Sequence, residues 1–192
     1  CAGYWIRYNA KGGNNDYGIF AQNRTNITIQ YCNILDINAS GNYGDAIRFI
    51  NVTNSTIIQN NMTANGTHNN TGILLTSAIN NTVSQNNLRT ITAGFENFGI
   101  KTKWAAANKI LANNISVSGN RSSSGIWMNV TNYTTIMSNT IRSTAIGAYA
   151  SYTYGIYGYG SFANNITNNT IWTNDSYSNN GIVETWGNEM HL

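Results

Sequence analysis

The sequence predicts an all-β fold: a right-handed parallel β-helix, or solenoid, of about seven coils, each with about 27 residues and three short strands. Three observations predict it. A Gly-Ile or Ala-Ile pair returns at a nearly constant interval, apolar positions fall at fixed distances from that pair, and one column of the repeat is almost entirely Asn.

The pair anchors the repeat. It stands at Gly18-Ile19, Ala46-Ile47, Gly72-Ile73, Gly99-Ile100, Gly125-Ile126, Gly155-Ile156 and Gly181-Ile182, its Ile positions 28, 26, 27, 26, 30 and 26 residues apart. Two residues after each anchor Ile come Ala21, Phe49, Leu75, Thr102, Met128 and Gly158. Ten after it come Ile29, Ile57, Val83, Ile110, Ile136 and Ile166, and fifteen after it Ile34, Met62, Leu88, Ile115, Ile141 and Ile171. Each coil thus offers three segments with inward positions at fixed offsets, separated by polar turns. Within a segment such as Thr82-Val83-Ser84 the alternation has a period of two, that of a strand and not of a helix.

Thirteen residues after the anchor lie Cys32, Asn60, Asn86, Asn113, Asn139 and Asn169. Asn tolerates the left-handed backbone expected of a turn between the second and third strands. Stacked about 4.8 Å apart, its amides can also hydrogen-bond along the axis as an Asn ladder. A sandwich or a propeller would not keep such columns in register over the whole chain. One coil buries too little to offset the ordering of its own backbone, so stability must be cooperative between coils.

The strings NNTVSQNNLRT, TTIMSNTIRST and NNITNNTIWTN, beginning at Asn80, Thr134 and Asn164, resemble a known repeat. It is the Asn-rich parallel β-helix repeat of pectin-degrading enzymes, alginate epimerases, periplasmic copper-processing proteins and many archaeal surface proteins. The resemblance spans nearly the whole chain and implies the fold. It leaves function open, because one solenoid hosts many activities.

Composition narrows the classes. No shift in composition divides the 192 residues, so residues 1–192 read as one β-helix domain. Charged residues are 9% and Pro is absent, but 41% of residues are hydrophobic and regularly placed, so the chain can bury a core. The net charge of +3 arises from scattered groups without a Lys/Arg run, which argues against nucleic-acid or anionic-membrane partners. No apolar stretch approaches the roughly 18 residues of a membrane span, and no signal peptide is visible, so a secreted protein would be in its mature form.

Sixteen Asn residues head Asn-x-Ser/Thr sequons: Asn23, Asn26, Asn38, Asn51, Asn54, Asn61, Asn65, Asn69, Asn80, Asn114, Asn120, Asn129, Asn132, Asn165, Asn168 and Asn174. Chance would give roughly seven, so N-linked glycans on several of them, and an extracellular, cell-surface location, are expected.

The ends carry a further expectation. The repeat places Ile6 in the column of Leu88 and Ile141, so the chain begins in mid-coil, and it also stops in mid-coil at Leu192. Joined head to tail, Ile182 of one copy and Ile19 of the next would lie 29 residues apart, within the observed interval. Two readings follow: a subunit that polymerises by completing its neighbour's coil, or a stretch of a longer solenoid. Cys1 and Cys32 suggest one disulfide, within the chain or across a subunit junction, with a lipid-modified Cys1 as the alternative.

Tests for chemistry return little. Asp16 and Asp45, near Arg48, are the one place where two acids could meet for calcium or acid–base work. Glu184 falls in the inward column of the last coil, and His68 and His191 form no ligand spacing with the cysteines. A water-ordering face would need two Thr columns; only one is Thr-rich, and Lys109 interrupts it. No catalytic residue, metal or cofactor is therefore assigned. Tyr149, Tyr152, Tyr154, Tyr157 and Tyr159 cluster near the longest turn, and with the outward Trp127 and Trp172 they suit surface contact, either lateral packing or stacking on sugars. The expected function is structural: a glycosylated solenoid assembling head to tail into a filament, sheath or surface layer. The alternatives are a polysaccharide lyase- or hydrolase-like domain and a carbohydrate-binding adhesin module.

Overall fold

The computed structural model describes residues 1–8, 16–37, 43–92, 94–145, 152–175, 178–187 and, for the backbone, 190–191. Three parallel sheets of seven strands wrap one axis. The anchor sheet is built from Asp16–Thr25, Gly44–Thr53, Thr71–Thr76, Asn97–Lys103, Ser123–Asn129, Thr153–Tyr159 and Asn179–Thr185. A middle sheet of short strands follows in each coil: Thr28–Gln30, Thr56–Ile58, Thr82–Ser84, Lys109–Leu111, Thr135–Met137, Asn164–Thr167 and Met190–His191. The closing sheet comprises Trp5–Tyr8, Asn33–Asp36, Asn61–Gly66, Asn87–Thr92, Asn114–Gly119, Thr140–Ala145 and Thr170–Asn174.

The register is the one read from the repeat. Anchor residues pair as Ile19 with Ile47, Ile73 with Ile100 and Ile126 with Ile156. In the middle sheet Ile29 pairs with Ile57 and Ile110 with Ile136; in the closing sheet Ile6 pairs with Ile34 and Ile115 with Ile141. These columns fill the interior, where Phe49, Ile73, Leu75, Ile100, Ile110 and Ile126 are fully buried.

The left-handed turns lie one residue from where the sequence suggests. The ladder positions have ordinary backbone; the residue before each carries the positive φ, at Tyr31, Gln59, Gln85, Ala112, Ser138 and Asn168. The Asn column is thus kept for its amide and not for its backbone tolerance. Two further columns of left-handed residues bracket the short link between the anchor and middle sheets. One runs Asn23, Asn51, Ser77, Trp104, Val130, Gly160 and Trp186, the other Asn26, Asn54, Asn80, Ala107, Tyr133 and Ala163.

The glycine of the anchor pair has a steric cause. At Gly18, Gly99, Gly125 and Gly155 an added Cβ would overlap the Cγ2 of Ile34, Ile115, Ile141 and Ile171 respectively. In the last coil a Cβ at Gly181 would meet nothing within 4 Å, and Ala46 takes the glycine's place in a coil that carries the unbranched Met62 where those four coils carry Ile.

Candidate functional site

The interior polar system is the ladder. The Asn60 Oδ1 accepts from the backbone N–H of Cys32 (3.0 Å), and the Asn86 Oδ1 from the backbone N–H (2.9 Å) and Nδ2 (3.0 Å) of Asn60. The pattern repeats from Asn86 to Asn113, from Asn113 to Asn139 and from Asn139 to Asn169. Each Nδ2 also reaches a strand carbonyl, as that of Asn113 does to Val83 O (2.9 Å). Buried amides are acceptable because every donor and acceptor is used.

A second ladder escaped the sequence reading. Eight residues after the anchor stand Ser55, Asn81, Asn108, Thr134 and Asn164, all buried. Ser55 N–H donates to Asn81 Oδ1 (2.9 Å), Asn81 N–H to Asn108 Oδ1 (2.9 Å), and Thr134 N–H to Asn164 Oδ1 (2.8 Å). Ser and Thr interrupt the Asn here, which masks the column in sequence. The signal was the shared offset of Asn81, Asn108 and Asn164.

At its lower end the first ladder meets a disulfide. Cys1 and Cys32 are bonded within the chain with Cα atoms 4.8 Å apart, and the amino terminus donates to Gln30 O (3.0 Å). Cys32 therefore exchanges a ladder amide for a covalent tie to the preceding rung, and Cys1 holds no free thiol.

The acids do not form a facing pair. Tyr17 lies opposite Asp45, and Asp16 opposite Gly44, one step away. Asp45 is buried and engaged by the Arg48 guanidinium, which also lies 4.7 Å from the Tyr17 ring. Burial raises the Asp45 pKa to about 6, against the opposing pull of Arg48. The folded protein thus holds this proton more tightly than the unfolded chain does. The group's contribution to stability is greatest below about pH 4 and is lost as pH rises to about 6. Urea melts at pH 4 and pH 7 are expected to differ by up to about 3 kcal/mol from this group, and Asp45→Asn should remove that difference. Glu184 faces inward opposite Gly158; burial raises its pKa, and its Oε1 accepts from Ser161 N–H (3.2 Å). Among the described residues no group of three or more His, Cys, Asp or Glu could hold a metal.

The outer face of the anchor sheet is aromatic and cationic. The Lys101 Nζ lies 4.2 Å from the Phe98 ring centroid and 4.7 Å from that of Trp127, and those rings are 5.5 Å apart. Burial under these rings lowers the Lys101 pKa. Trp127 stands opposite Tyr157, and Asn129 opposite Tyr159. Tyr154 packs on Tyr157 (4.8 Å), whose hydroxyl shares a hydrogen bond with Thr185. On the closing sheet, Trp172 is 58% exposed and stands opposite Arg142, beside a groove of 390 Å³ lined by these two with Thr144, Thr173 and Asn174.

The sequons and the ladders part cleanly. None of the fifteen sequon asparagines among the described residues is buried; ten, including Asn23, Asn54, Asn61, Asn114, Asn165 and Asn168, are exposed. None of the nine buried asparagines heads a sequon. Some sequon amides stack between rungs, as Asn51 Nδ2 does on Asn23 Oδ1 (2.8 Å) and Asn80 Nδ2 on Asn54 Oδ1 (2.6 Å). Asn38 and Tyr149 lie outside the described residues.

A family model described as "Right handed beta helix region" matches residues 3–192. No curated protein and no solved structure matches the chain.

Proposed function

The chain belongs to the right-handed β-helix family, a fold used for structural and carbohydrate-related roles, and from that premise we propose a structural protein of the cell exterior, a solenoid that is N-glycosylated and assembles head to tail. The excess of sequons carries the reading: sixteen stand where chance would give roughly seven, and none of the fifteen among the described residues is buried. The repeat itself keeps the fully buried asparagines out of sequons, because the residue two positions on is an inward apolar residue or an anchor glycine. Glycans on the sequons would leave the ladders intact.

Assembly along the axis rests on a property of the sheets. Each runs parallel and in register over the described length, and a parallel strand at the end of such a sheet can pair onward with a further copy. Electron micrographs of material from the native source are expected to show unbranched filaments or a layer, and intact-mass spectra are expected to carry glycan increments. Compact, isolated monomers sink the assembly; an unmodified mass sinks the glycoprotein.

The second reading, a carbohydrate-binding module, draws on Lys101, Trp127, Tyr154 and Tyr157 on the anchor sheet's outer face. Rings of this kind stack on the apolar faces of sugars. Retention on immobilised polysaccharide would favour it.

A further inference from the structure

Two of the outward tryptophans each stand two residues before a sequon asparagine on the same strand. Strand Ser123–Asn129 carries Trp127 and Asn129, and strand Thr170–Asn174 carries Trp172 and Asn174. Residues two apart on a strand share a face, with Cα atoms about 6.6 Å apart. The alternation agrees: Trp127 and Asn129 are half-buried either side of the buried Met128, and Trp172 and Asn174 are exposed either side of the half-buried Thr173. The other sequons lack this arrangement. Asn51 follows Phe49 by two residues, but Phe49 is 0% exposed and points into the core.

We propose that Trp127 and Trp172 are seats for the protein's own glycans, each indole packing against the first sugar of the N-linked chain on Asn129 and Asn174. The inference rests on the glycosylation reading above and assigns two of its sites.

The surroundings fit a sugar at both places. Around Asn129 the neighbouring rungs offer Lys103 on one side and Tyr159, 44% exposed, on the other. The Asn129 side chain makes no hydrogen bond to a described residue, so its amide is available for the linkage. One face of the Trp127 indole is occupied by Lys101, which fixes the ring. Beside Asn174 the groove of 390 Å³ is walled by Trp172 and Arg142. A pyranose presents a face of C–H groups that packs on an indole and a rim of hydroxyls that accept from a guanidinium. Seating a sugar there also covers apolar surface that is otherwise open to water.

Glycopeptide mass spectrometry of the native protein should find glycans at Asn129 and Asn174. Variants made in the same cells then test the seats. Asn174→Gln should lower the melting midpoint by roughly 2–4 °C when Trp172 is present and leave it unchanged in a Trp172→Ala background; Asn129→Gln with Trp127→Ala should behave likewise. Trp172 is exposed, so its variant folds even if Trp127→Ala does not. Sugar on no sequon overturns the glycosylation reading along with this one. Sugar on other sequons but not these two overturns the seats alone. An equal loss with and without the tryptophan also overturns them, as does binding of added N-acetylglucosamine oligomers to wild type and Asn→Gln variants alike, which would give the tryptophans to an external chain.

Discussion

Asn113→Ala is expected to cost about 3–5 kcal/mol, a large fraction of the stability of any ordinary domain. The Asn113 Oδ1 accepts from the Asn86 backbone N–H and Nδ2, both at 3.0 Å, and its Nδ2 donates to Val83 O at 2.9 Å and Asn139 Oδ1 at 3.0 Å. Truncation breaks four hydrogen bonds at a position where the side chain is 1% exposed; the Asn86 Nδ2 keeps Ile57 O and the Asn139 Oδ1 keeps the Asn113 N–H, so the loss falls mainly on the Asn86 N–H and Val83 O. Each buried polar group without a partner costs about 1–3 kcal/mol, and a trapped water recovers part of that. Asn113→Asp should be worse still, since it retains size but turns a donor toward Val83 O and Asn139 Oδ1 into an acceptor. Because each coil contacts mainly its neighbours, hydrogen exchange should accelerate first in the coils holding Asn86, Asn113 and Asn139. A change under 1 kcal/mol in a urea melt would mean that the ladder is decorative.

Gly125→Ala should destabilise by about 1–3 kcal/mol, the usual cost of overfilling a packed core. The new Cβ overlaps the Ile141 Cγ2 and comes to 2.7 Å from the Gly155 carbonyl oxygen. Elsewhere in the molecule the fold has solved the same problem: Ala46 occupies the equivalent site at 0% exposure, with Met62 in place of a branched residue. The pair Gly125→Ala, Ile141→Met is therefore expected to recover most of the loss, whereas Ile141→Met alone should cost under about 1.5 kcal/mol. Failure of the second change to rescue the first would show that the carbonyl contact, and not the Ile branch, fixes the glycine.

These two expectations differ in where they could be read. The Asn column was visible in the sequence at offset thirteen, since five of its six members are Asn. Its purpose was legible only in part: the left-handed turn belongs to the preceding residue, which can be Gln, Ala or Ser. The glycine column was equally visible as a repeat, but nothing in the sequence says that its neighbour is an Ile sixteen residues on. The second ladder was hidden by Ser55 and Thr134, whose hydroxyls and backbone suit the same rung. Asp16 and Asp45 stand three and two residues before their anchors, a one-step offset that the pairing keeps; the burial of Asp45 was not legible.

By itself, the sequence determined the solenoid, the three strands per coil and which residues stack above which. A parallel in-register stack forces like residues into columns, and a column is a periodicity that a linear chain can display. Only the tertiary structure decided what lies across a coil: the Ile that excludes a Cβ at Gly125, the burial of Asp45, and the accessible face shared by Trp172 and Asn174. Those relations depend on turn dihedrals and on the path of the chain between sheets. They link residues at separations that no single period records.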